Sequence, residues 1–322
     1  MEDRVMDGKK GTGRLRLPGR PEGLGKNEIC CGSAISSGKK IAGPRQLVDM
    51  EQTRRTTILN NGVEMPMLGL GVYDMHGNEA VQAIRAALGL GYRLIDTASM
   101  YRNEEAVGKA IRTSGISRKE IFVTSKVANG DQGYDLTLRA FDESLSRLGT
   151  DYLDLYLIHW PVRGKRKDTW KALEKIYADG RARSIGVANY LIPFLEELET
   201  YAGIIPAVNQ VEFSPFLFLE DLLTKCRQQK IQLQAYSPLS RGKMLHDPKL
   251  QEIATKYHKT PAQIILRWDI ELGVSAIPKS STGHRLKENL DIFDFSLSGG
   301  ELEMMRGFNL GLRVVEDPMW YL

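Results

Sequence analysis

Four polar residues of the chain could together deliver a proton to a carbonyl oxygen. Asp96, Lys126 and His159 each end a short apolar run, and Tyr101 lies five residues after Asp96. A tyrosine, with an ordinary pKa of about 10, is a poor acid at neutral pH. A lysine ammonium about 4 Å away would stabilise the phenolate by roughly 4 kcal/mol, or at most about 3 pKa units. These residues therefore suit reduction of a carbonyl: Tyr101 gives the proton, Lys126 lowers its pKa, Asp96 keeps Lys126 charged, and His159 orients the carbonyl.

Each of the four residues also has an ordinary structural explanation when it is taken alone. Asp96 could cap the following helix, and Lys126 could be a cation at the rim of the fold. His159 could be a hydrogen-bonded core imidazole, and Tyr101 could pack its own loop. Only a fold that brings all four to one place favours a catalytic site over these explanations.

The elements that would position these residues alternate in type from Thr56 onward. Asn60-Asn61-Gly62 predicts a hairpin turn between short strands at Thr56–Leu59 and Val63–Met65. Eight further apolar or β-branched runs, each followed by a segment of helical periodicity, predict a (β/α)8 TIM barrel of the usual length of about 250 residues. The predicted strands are Met67–Leu70, Arg93–Asp96, Ile121–Lys126, Leu155–His159, Ser184–Val187, Ala207–Val211, Ile231–Tyr236 and Val274–Pro278. Function in such a barrel collects at the carboxyl ends of the strands, where all four residues would lie.

A doubly wound dinucleotide-binding sheet is the alternative α/β fold. That fold requires the spacing GxGxxG after its first strand. Gly69-Leu70-Gly71 begins such a pattern, but Asp74 occupies the position of the third glycine. The sequence therefore favours the barrel.

Charge and composition divide the chain into two parts, at residues 1–49 and 50–322. The first part carries ten basic and six acidic residues, nine glycines and no aromatic residue, so it holds the whole net charge of +4. Such a composition predicts a disordered leader or extension. Since the second part is neutral overall, bulk charge gives no indication of nucleic-acid binding.

Cysteine and histidine usage indicates a chain of a reducing compartment, and the expected location is the cytoplasm. Cys30 and Cys31 are adjacent and Cys226 is isolated, so no disulfide framework is expected. Five scattered histidines give no metal-binding spacing, and no metal is expected. No apolar run is long enough to cross a membrane, and no membrane partner is expected. The expected partner is a small-molecule carbonyl substrate, and the expected state is a monomer.

Four motifs of the chain resemble the signatures of the aldo-keto reductase family. They are Arg93–Ala98, Tyr101–Glu104, Thr124–Lys126 and Leu157–Pro161, and the resemblance runs from about Thr56 to Asp317. It is nearest to the bacterial-type reductases of small carbonyls and diketo sugars. It implies a TIM barrel closed at its base by a hairpin, with Asp96, Tyr101, Lys126 and His159 as catalytic residues.

The same resemblance implies a site for NADPH. Asn189 and Gln210 would bind the nicotinamide carboxamide, and Tyr236 would stack on the nicotinamide ring. The positions implied for the remainder of the cofactor are Ser237 and Leu239 along the pyrophosphate, Lys279, Ser280, Ser281 and Arg285 at the 2′-phosphate, and Glu288 and Asn289 at the adenine. Independently, a Lys-Ser-Ser run followed by an arginine at a helix start suits a phosphate, although a solvated helix start has the same composition.

Two positions depart from the family pattern. Ala188 stands where a serine usually precedes the carboxamide-binding asparagine, so one hydroxyl donor is lost, at a cost of about 1 kcal/mol. Ala128 stands where a tryptophan is common, which predicts a wider substrate pocket. The remaining candidate pocket walls are Tyr73, Trp160 and either Met319 or Trp320, and simple tail packing competes with this role for Trp320.

These patterns favour an NADPH-dependent reductase of small aldehydes, 2-oxoaldehydes such as methylglyoxal, or keto sugars. A barrel aldolase with Lys126 as a Schiff-base lysine is an alternative, but Asp96 would hold that lysine charged. A barrel that only senses a nucleotide is a second alternative, and the intact set of four polar residues argues against it.

Overall fold

A hairpin begins the part of the chain that the computed structural model describes, residues 55–322; the predicted leader at residues 1–49 lies outside it. Strands β1 (Thr56–Ile58) and β2 (Glu64–Pro66) pair antiparallel, with Thr57 opposite Met65. Gly62 adopts a φ of +83° in the turn, a conformation that glycine reaches without steric cost. The hairpin predicted at Asn60-Asn61-Gly62 is confirmed.

Eight parallel strands follow in sequence and pair with their chain neighbours in order. They are β3 (Leu70–Gly71), β4 (Leu94–Asp96), β5 (Phe122–Val127), β6 (Leu155–Ile158), β7 (Ile185–Ala188), β8 (Val208–Glu212), β9 (Gln232–Tyr236) and β10 (Ser275–Ile277). The first and last strands meet as well: Gly69 N donates to Ala276 O at 2.9 Å, and Ala276 N donates to Met67 O at 2.8 Å. These bonds close the sheet, so the predicted barrel is confirmed.

Ten helices cover the described part of the barrel. They are α1 (Gly77–Leu90), α2 (Glu104–Arg112), α3 (Tyr134–Leu148), α4 (Arg166–Ala178), α5 (Ile192–Glu199), α6 (Glu220–Gln228), α7 (Pro248–Tyr257), α8 (Pro261–Glu271), α9 (Gly283–Leu290) and α10 (Gly299–Arg306). Helices α7 and α10 are not among the sequence predictions, because the eightfold alternation does not require them. Within residues 55–322, no helix is long and apolar enough to cross a membrane.

The barrel interior is a separate apolar cluster enclosed by the strands. Its buried members are Leu59, Met65, Leu94, Phe122, Leu155, Leu157, Ala188, Ala207, Val208 and Ile277. The hairpin contributes to this cluster from below and is also hydrogen-bonded to the loops that precede the strands. Asn60 Nδ2 donates to Pro206 O at 2.9 Å, and Asn61 Nδ2 donates to Arg183 O at 3.0 Å. The hairpin therefore closes the base, which leaves the opposite end open for a site.

One buried carboxylate in the outer layer has no role in positioning the site. Asp269 of α8 is fully buried, and neither of its oxygens has a hydrogen-bond partner among residues 55–322. Burial raises the pKa of Asp269 well above its usual range. The folded protein therefore keeps the proton that the unfolded chain releases above about pH 4.

We expect Asp269→Asn to remove a pH dependence of stability. In the wild type, the free energy of unfolding should fall as pH rises from about 4 to the raised folded pKa, by about 1.4 kcal/mol per pH unit. Denaturant unfolding at several pH values between 5 and 8 measures the difference between the two proteins. The exposed Asp168→Asn of α4 is the control and should follow the wild type. If the free energies of unfolding of Asp269→Asn and the wild type differed by the same amount at every pH, the expectation would be contradicted.

Candidate active site

The carboxyl ends of β4, β5 and β6 bring three of the predicted residues to the open end of the barrel. Lys126 Nζ lies 2.5 Å from Asp96 Oδ1 and donates a second bond to Thr97 O at 2.9 Å. His159 directly follows β6. All three side chains are buried. A fully buried lysine next to a carboxylate is an uncommon arrangement that ordinary rim packing does not explain.

The fourth residue, Tyr101, lies above the Lys126 ammonium. It ends a short helical turn, Ser99–Tyr101, which Ser99 Oγ fixes to Lys126 O at 3.0 Å. Lys126 Nζ is 5.1 Å from the centre of the Tyr101 ring, and the His159 ring centre is 5.5 Å away, edge to face. The Tyr101 hydroxyl forms no hydrogen bond with any described residue. The structure thus brings the four predicted residues together.

The pKa of Tyr101 moves in the opposite direction to the one expected from Lys126 alone. Burial raises it well above its usual range, and the negative charge of Asp96 adds to the increase. The Asp96 carboxylate, at 2.5 Å from Lys126 Nζ, offsets the field of the ammonium that was expected to stabilise the phenolate. Tyr101 is therefore a neutral phenol in the folded protein.

The Lys126–Asp96 pair is shielded from water. Burial lowers the pKa of Lys126 and raises that of Asp96, and their mutual contact opposes both shifts. Gln210 Nε2 donates to the second oxygen of Asp96 at 2.7 Å, so both carboxylate oxygens are hydrogen-bonded. The pair is therefore a fixed dipole beneath Tyr101.

His159 is neutral at physiological pH. Burial lowers its pKa well below the usual range, and the Lys126 charge lowers it further. Its Nδ1 is buried and has no hydrogen-bond partner in the described structure. The tautomer with the hydrogen on Nε2 leaves no buried donor unpaired, so Nε2 can donate to a carbonyl oxygen.

Two residues that follow Tyr101 hold its turn in place. Asn103 accepts a hydrogen bond from Thr97 Oγ1 at 2.6 Å and donates to Val72 O at 2.8 Å. Glu104 is buried and accepts from Ser125 Oγ at 2.5 Å, next to Lys126 along β5. These contacts explain why the Tyr-x-Asn-Glu motif is a structural unit. The sequence had given no expected role for Asn103 or Glu104.

An aromatic wall from the C-terminal segment borders the open end. Tyr321 stacks on Trp160 at a ring distance of 5.4 Å and accepts a hydrogen bond from Asn129 Nδ2 at 3.3 Å. Trp320, the predicted wall residue, is 75% exposed instead. Tyr321 is thus hydrogen-bonded to the residue that follows Ala128. The other predicted wall residue, Tyr73, is half exposed and packs edge to face on Tyr101.

Three of the predicted cofactor-binding side chains lie together beside this set. Asn189 follows β7 with a φ of +64°, donates to His159 O at 2.8 Å, and accepts from Tyr236 Oη at 2.8 Å. Gln210 lies on β8, and Tyr236 ends β9. Ser237, with a φ of +47°, follows Tyr236, and left-handed backbone at non-glycine residues is frequent at functional sites.

The predicted phosphate-binding residues surround the start of α9. Lys279, Ser281 and Arg285 are exposed. Within the described structure, neither of the two cations forms an ion pair. Ser280 is buried instead, and its hydroxyl accepts from Thr282 N at 3.3 Å. The Thr282 side chain does not cap the helix, so its first N–H groups remain available.

The two predicted adenine contacts lie at the far end of α9. Asn289 is buried, and the Glu288 carboxylate accepts a hydrogen bond from Thr260 Oγ1 at 2.7 Å. Leu239, predicted along the pyrophosphate, is partly buried against the outer core. The geometry of these three residues alone assigns them no ligand.

Comparison with known proteins identifies the family. Residues 67–309 match the sequence profile of the Aldo/keto reductase family. The chain belongs to this family. It is 54% identical over 264 residues to glyoxal reductase from Bacillus subtilis (strain 168), a match that spans 82% of this chain and 96% of that protein.

Solved structures of other aldo/keto reductases share the fold. A Brucella melitensis aldo/keto reductase is 49% identical and superimposes with a TM-score of 0.77, over 79% of this chain and 99% of that one. A Bombyx mori aldo-keto reductase solved in complex with NADP is 35% identical, with a TM-score of 0.78, over 82% of this chain and 96% of that one. In this aldo/keto reductase, Ala188 ends β7 and is buried in the barrel core. The hydroxyl that a serine would place next to Asn189 is therefore missing.

Proposed function

We propose that this aldo/keto reductase uses NADPH to reduce small aldehydes, 2-oxoaldehydes such as methylglyoxal, or keto sugars to alcohols. The observation that carries the proposal is the neutral Tyr101 phenol, which lies over the buried Lys126–Asp96 pair and beside a neutral His159. A proton donor, a fixed charge pair and a hydrogen-bond donor then face one open end of the barrel. This combination suits a carbonyl oxygen that must gain a proton as it gains charge.

The residues present fit a nicotinamide dinucleotide phosphate. Gln210 Oε1 accepts no hydrogen bond from any described residue, so it is available to a carboxamide N–H. At the other end, Lys279 and Arg285 are exposed cations without ion pairs beside the uncapped start of α9. Two cations and free N–H groups at a helix start form a favourable environment for a phosphate. The NADP bound to the Bombyx mori relative supports the same cofactor.

The residues around Tyr101 supply the proton chemistry. A bound NADPH would supply a hydride to the carbonyl carbon. His159 Nε2 donates a hydrogen bond to the carbonyl oxygen and orients it towards Tyr101. Tyr101 Oη gives its proton to that oxygen, which completes the alcohol and leaves a phenolate above the Lys126 ammonium. Asp96 holds Lys126 in position at 2.5 Å.

The Schiff-base alternative for Lys126 conflicts with its surroundings. The side chain is fully buried, and Nζ donates to both Asp96 Oδ1 and Thr97 O. A nucleophilic lysine has to present a free lone pair to the substrate carbonyl. Here Tyr101 and the backbone separate the nitrogen from the open end, so the proposal assigns Lys126 no covalent step.

Aromatic side chains near Tyr101 and His159 favour small planar substrates. Tyr73 packs on Tyr101, Trp160 stacks on His159, and Tyr321 stacks on Trp160. Planar carbonyl and dicarbonyl compounds fit between such walls. The name of the Bacillus subtilis relative, glyoxal reductase, points to the same substrate class.

A turnover assay tests the proposed function. Oxidation of NADPH, followed by its absorbance, should be measured with methylglyoxal, a panel of aldehydes, and diketo sugars. We expect turnover that depends on the carbonyl compound, with small 2-oxoaldehydes among the good substrates. A purified, folded protein that binds no NADPH, or that reduces none of these compounds, would contradict the proposal.

Loss of the two cations near α9 should reduce the preference for NADPH over NADH. We expect the double variant Lys279→Ala/Arg285→Ala to raise the KM for NADPH by about 10- to 100-fold, since each charge-assisted hydrogen bond contributes about 1.5–3 kcal/mol when fully formed and less when exposed. The KM for NADH should change by less than about threefold. Steady-state kinetics with both cofactors measure the two KM values. His284→Ala in the first turn of α9 is the control, because no phosphate contact is assigned to His284. Equal effects on both cofactors would overturn the phosphate assignment.

A further inference from the structure

A chain of buried hydrogen bonds crosses the barrel from Lys126 to the last strand. Gln210 Nε2 donates to Asp96 Oδ2 at 2.7 Å and to Gln234 Oε1 at 2.8 Å. Gln234 Nε2 in turn donates to Ser275 Oγ at 2.9 Å. Gln234 and Ser275 have no exposed surface. Gln234 and Ser275 take no part in the proton chemistry proposed for Tyr101 and His159.

Strand register places the chain's members side by side. Gln210 of β8 is opposite Gln234 of β9, and Gln234 is in turn opposite Ser275 of β10. Residues paired across parallel strands project on the same face, here into the barrel. Gln210 then reaches across the interior to Asp96 on β4. The chain therefore links one wall of the barrel to the other at the level of the Lys126–Asp96 pair.

The charge of Asp96 fixes the direction of every bond in this chain. An ionised carboxylate only accepts, so Gln210 must present its Nε2 to Asp96. The second hydrogen of that nitrogen goes to Gln234 Oε1, which turns Gln234 Nε2 towards Ser275. With both Nε2 hydrogens used, the Gln210 amide is held in one plane, and its Oε1 is left without a partner from the described chain.

We propose that Gln234, supported by Ser275, is a positioning residue that fixes the Gln210 amide so that Oε1 faces the cofactor carboxamide. This inference rests on the proposed function, since it concerns how the barrel receives NADPH. Without an acceptor at position 234, one Gln210 hydrogen would be buried and unpaired, and rotation of the amide would relieve that cost. Gln234 touches neither substrate nor reacting atoms and acts only through Gln210.

Substitutions that keep or remove the acceptor separate this role from packing. We expect Gln234→Leu, which removes the acceptor, to weaken NADPH binding by roughly 5- to 100-fold, as for a buried hydrogen bond left unmade. Gln234→Glu, which burial keeps protonated, retains a carbonyl acceptor towards Gln210 and donates its acid proton to Ser275 Oγ, so it should bind NADPH within about threefold of the wild type. Ser184→Ala at the base of the barrel is the control, because the buried Ser184 hydroxyl accepts a hydrogen bond from Asn61 Nδ2 of the hairpin, at the end opposite the site. It should lower thermal stability without changing NADPH affinity.

The experiment is a titration of each purified protein with NADPH, followed by quenching of tryptophan fluorescence, together with thermal unfolding without cofactor. Weak binding by Gln234→Leu that Gln234→Glu restores supports the inference. Affinity of Gln234→Leu within twofold of the wild type overturns it, and so does an equal loss in both variants, which indicates packing alone. If Gln234→Leu does not fold, Ser275→Ala decides: a severalfold weakening supports the inference, and unchanged affinity overturns it. If the wild-type protein binds no NADPH, the proposed function itself is refuted. That result differs from a failure of the present inference, in which the wild type binds NADPH and the variants do not behave as expected.

Discussion

Tyr101→Phe is expected to lower kcat for carbonyl reduction by about 10²- to 10⁴-fold, the usual contribution of a positioned general acid. The substitution removes one oxygen atom whose hydroxyl makes no hydrogen bond with the described residues, so the fold should be unaffected. Affinity for NADPH should change little, because the proton and not the ring is lost. Steady-state kinetics with methylglyoxal, together with a fluorescence titration of NADPH, measure both quantities.

Tyr73→Phe provides the matched control for Tyr101→Phe. Tyr73 packs edge to face on Tyr101 at 5.1 Å but is half exposed, and no proton transfer is assigned to it. We expect its kcat to remain within a few fold of the wild type. If Tyr101→Phe retained more than about a tenth of the wild-type kcat, Tyr101 would not be the proton donor.

Lys126→Met is expected to lower both activity and stability. Methionine has a similar length, but it leaves the buried Asp96 carboxylate without its ionic partner, and breaking a buried pair in this way costs about 3–5 kcal/mol. Loss of the charge under Tyr101 should reduce kcat by at least about 100-fold. Denaturant unfolding and steady-state kinetics measure the two effects separately.

A double variant separates the two roles of the Lys126–Asp96 pair. Asp96→Asn/Lys126→Met removes both charges, so it should recover most of the lost stability while kcat stays low. The exposed pair of Lys175 and Asp179 provides the control, since Lys175→Met should cost less than about 1 kcal/mol. A Lys126→Met protein as stable as the wild type would show that Asp96 is neutral in the folded protein.

Local sequence patterns predicted the barrel and the end of it at which the four polar residues meet. Periodic apolar runs mark each strand, and the polar residue that ends a run marks the open face, so Asp96, Lys126 and His159 could be assigned to one site before any contact was known. Helices α7 and α10 also had local signals. Pro248 follows the N-cap Asp247, and Ser298 with Glu301 forms a capping box. Both helices are additions to the eightfold alternation, which does not predict them.

Other features depend on distances that no local pattern contains. The expectation that Lys126 lowers the pKa of Tyr101 was wrong, because burial and the Asp96 charge raise that pKa, and the balance of these effects depends on atomic separations. The expected wall residue was Met319 or Trp320, whereas Tyr321 stacks on Trp160. Neighbouring residues of an irregular tail have no fixed periodicity, so only tail docking decides which one faces the site.

Strand period and strand ends are local properties of the chain, so the residue types at the barrel's open end could be predicted from them. Residue counts also located the net charge of +4 in residues 1–49 and left a neutral barrel. In contrast, no local pattern shows that Gln210, Gln234 and Ser275 lie in register or that Gln210 reaches Asp96 across the barrel. Those contacts join residues up to 114 positions apart. Register and barrel closure set them, and both are properties of the assembled sheet.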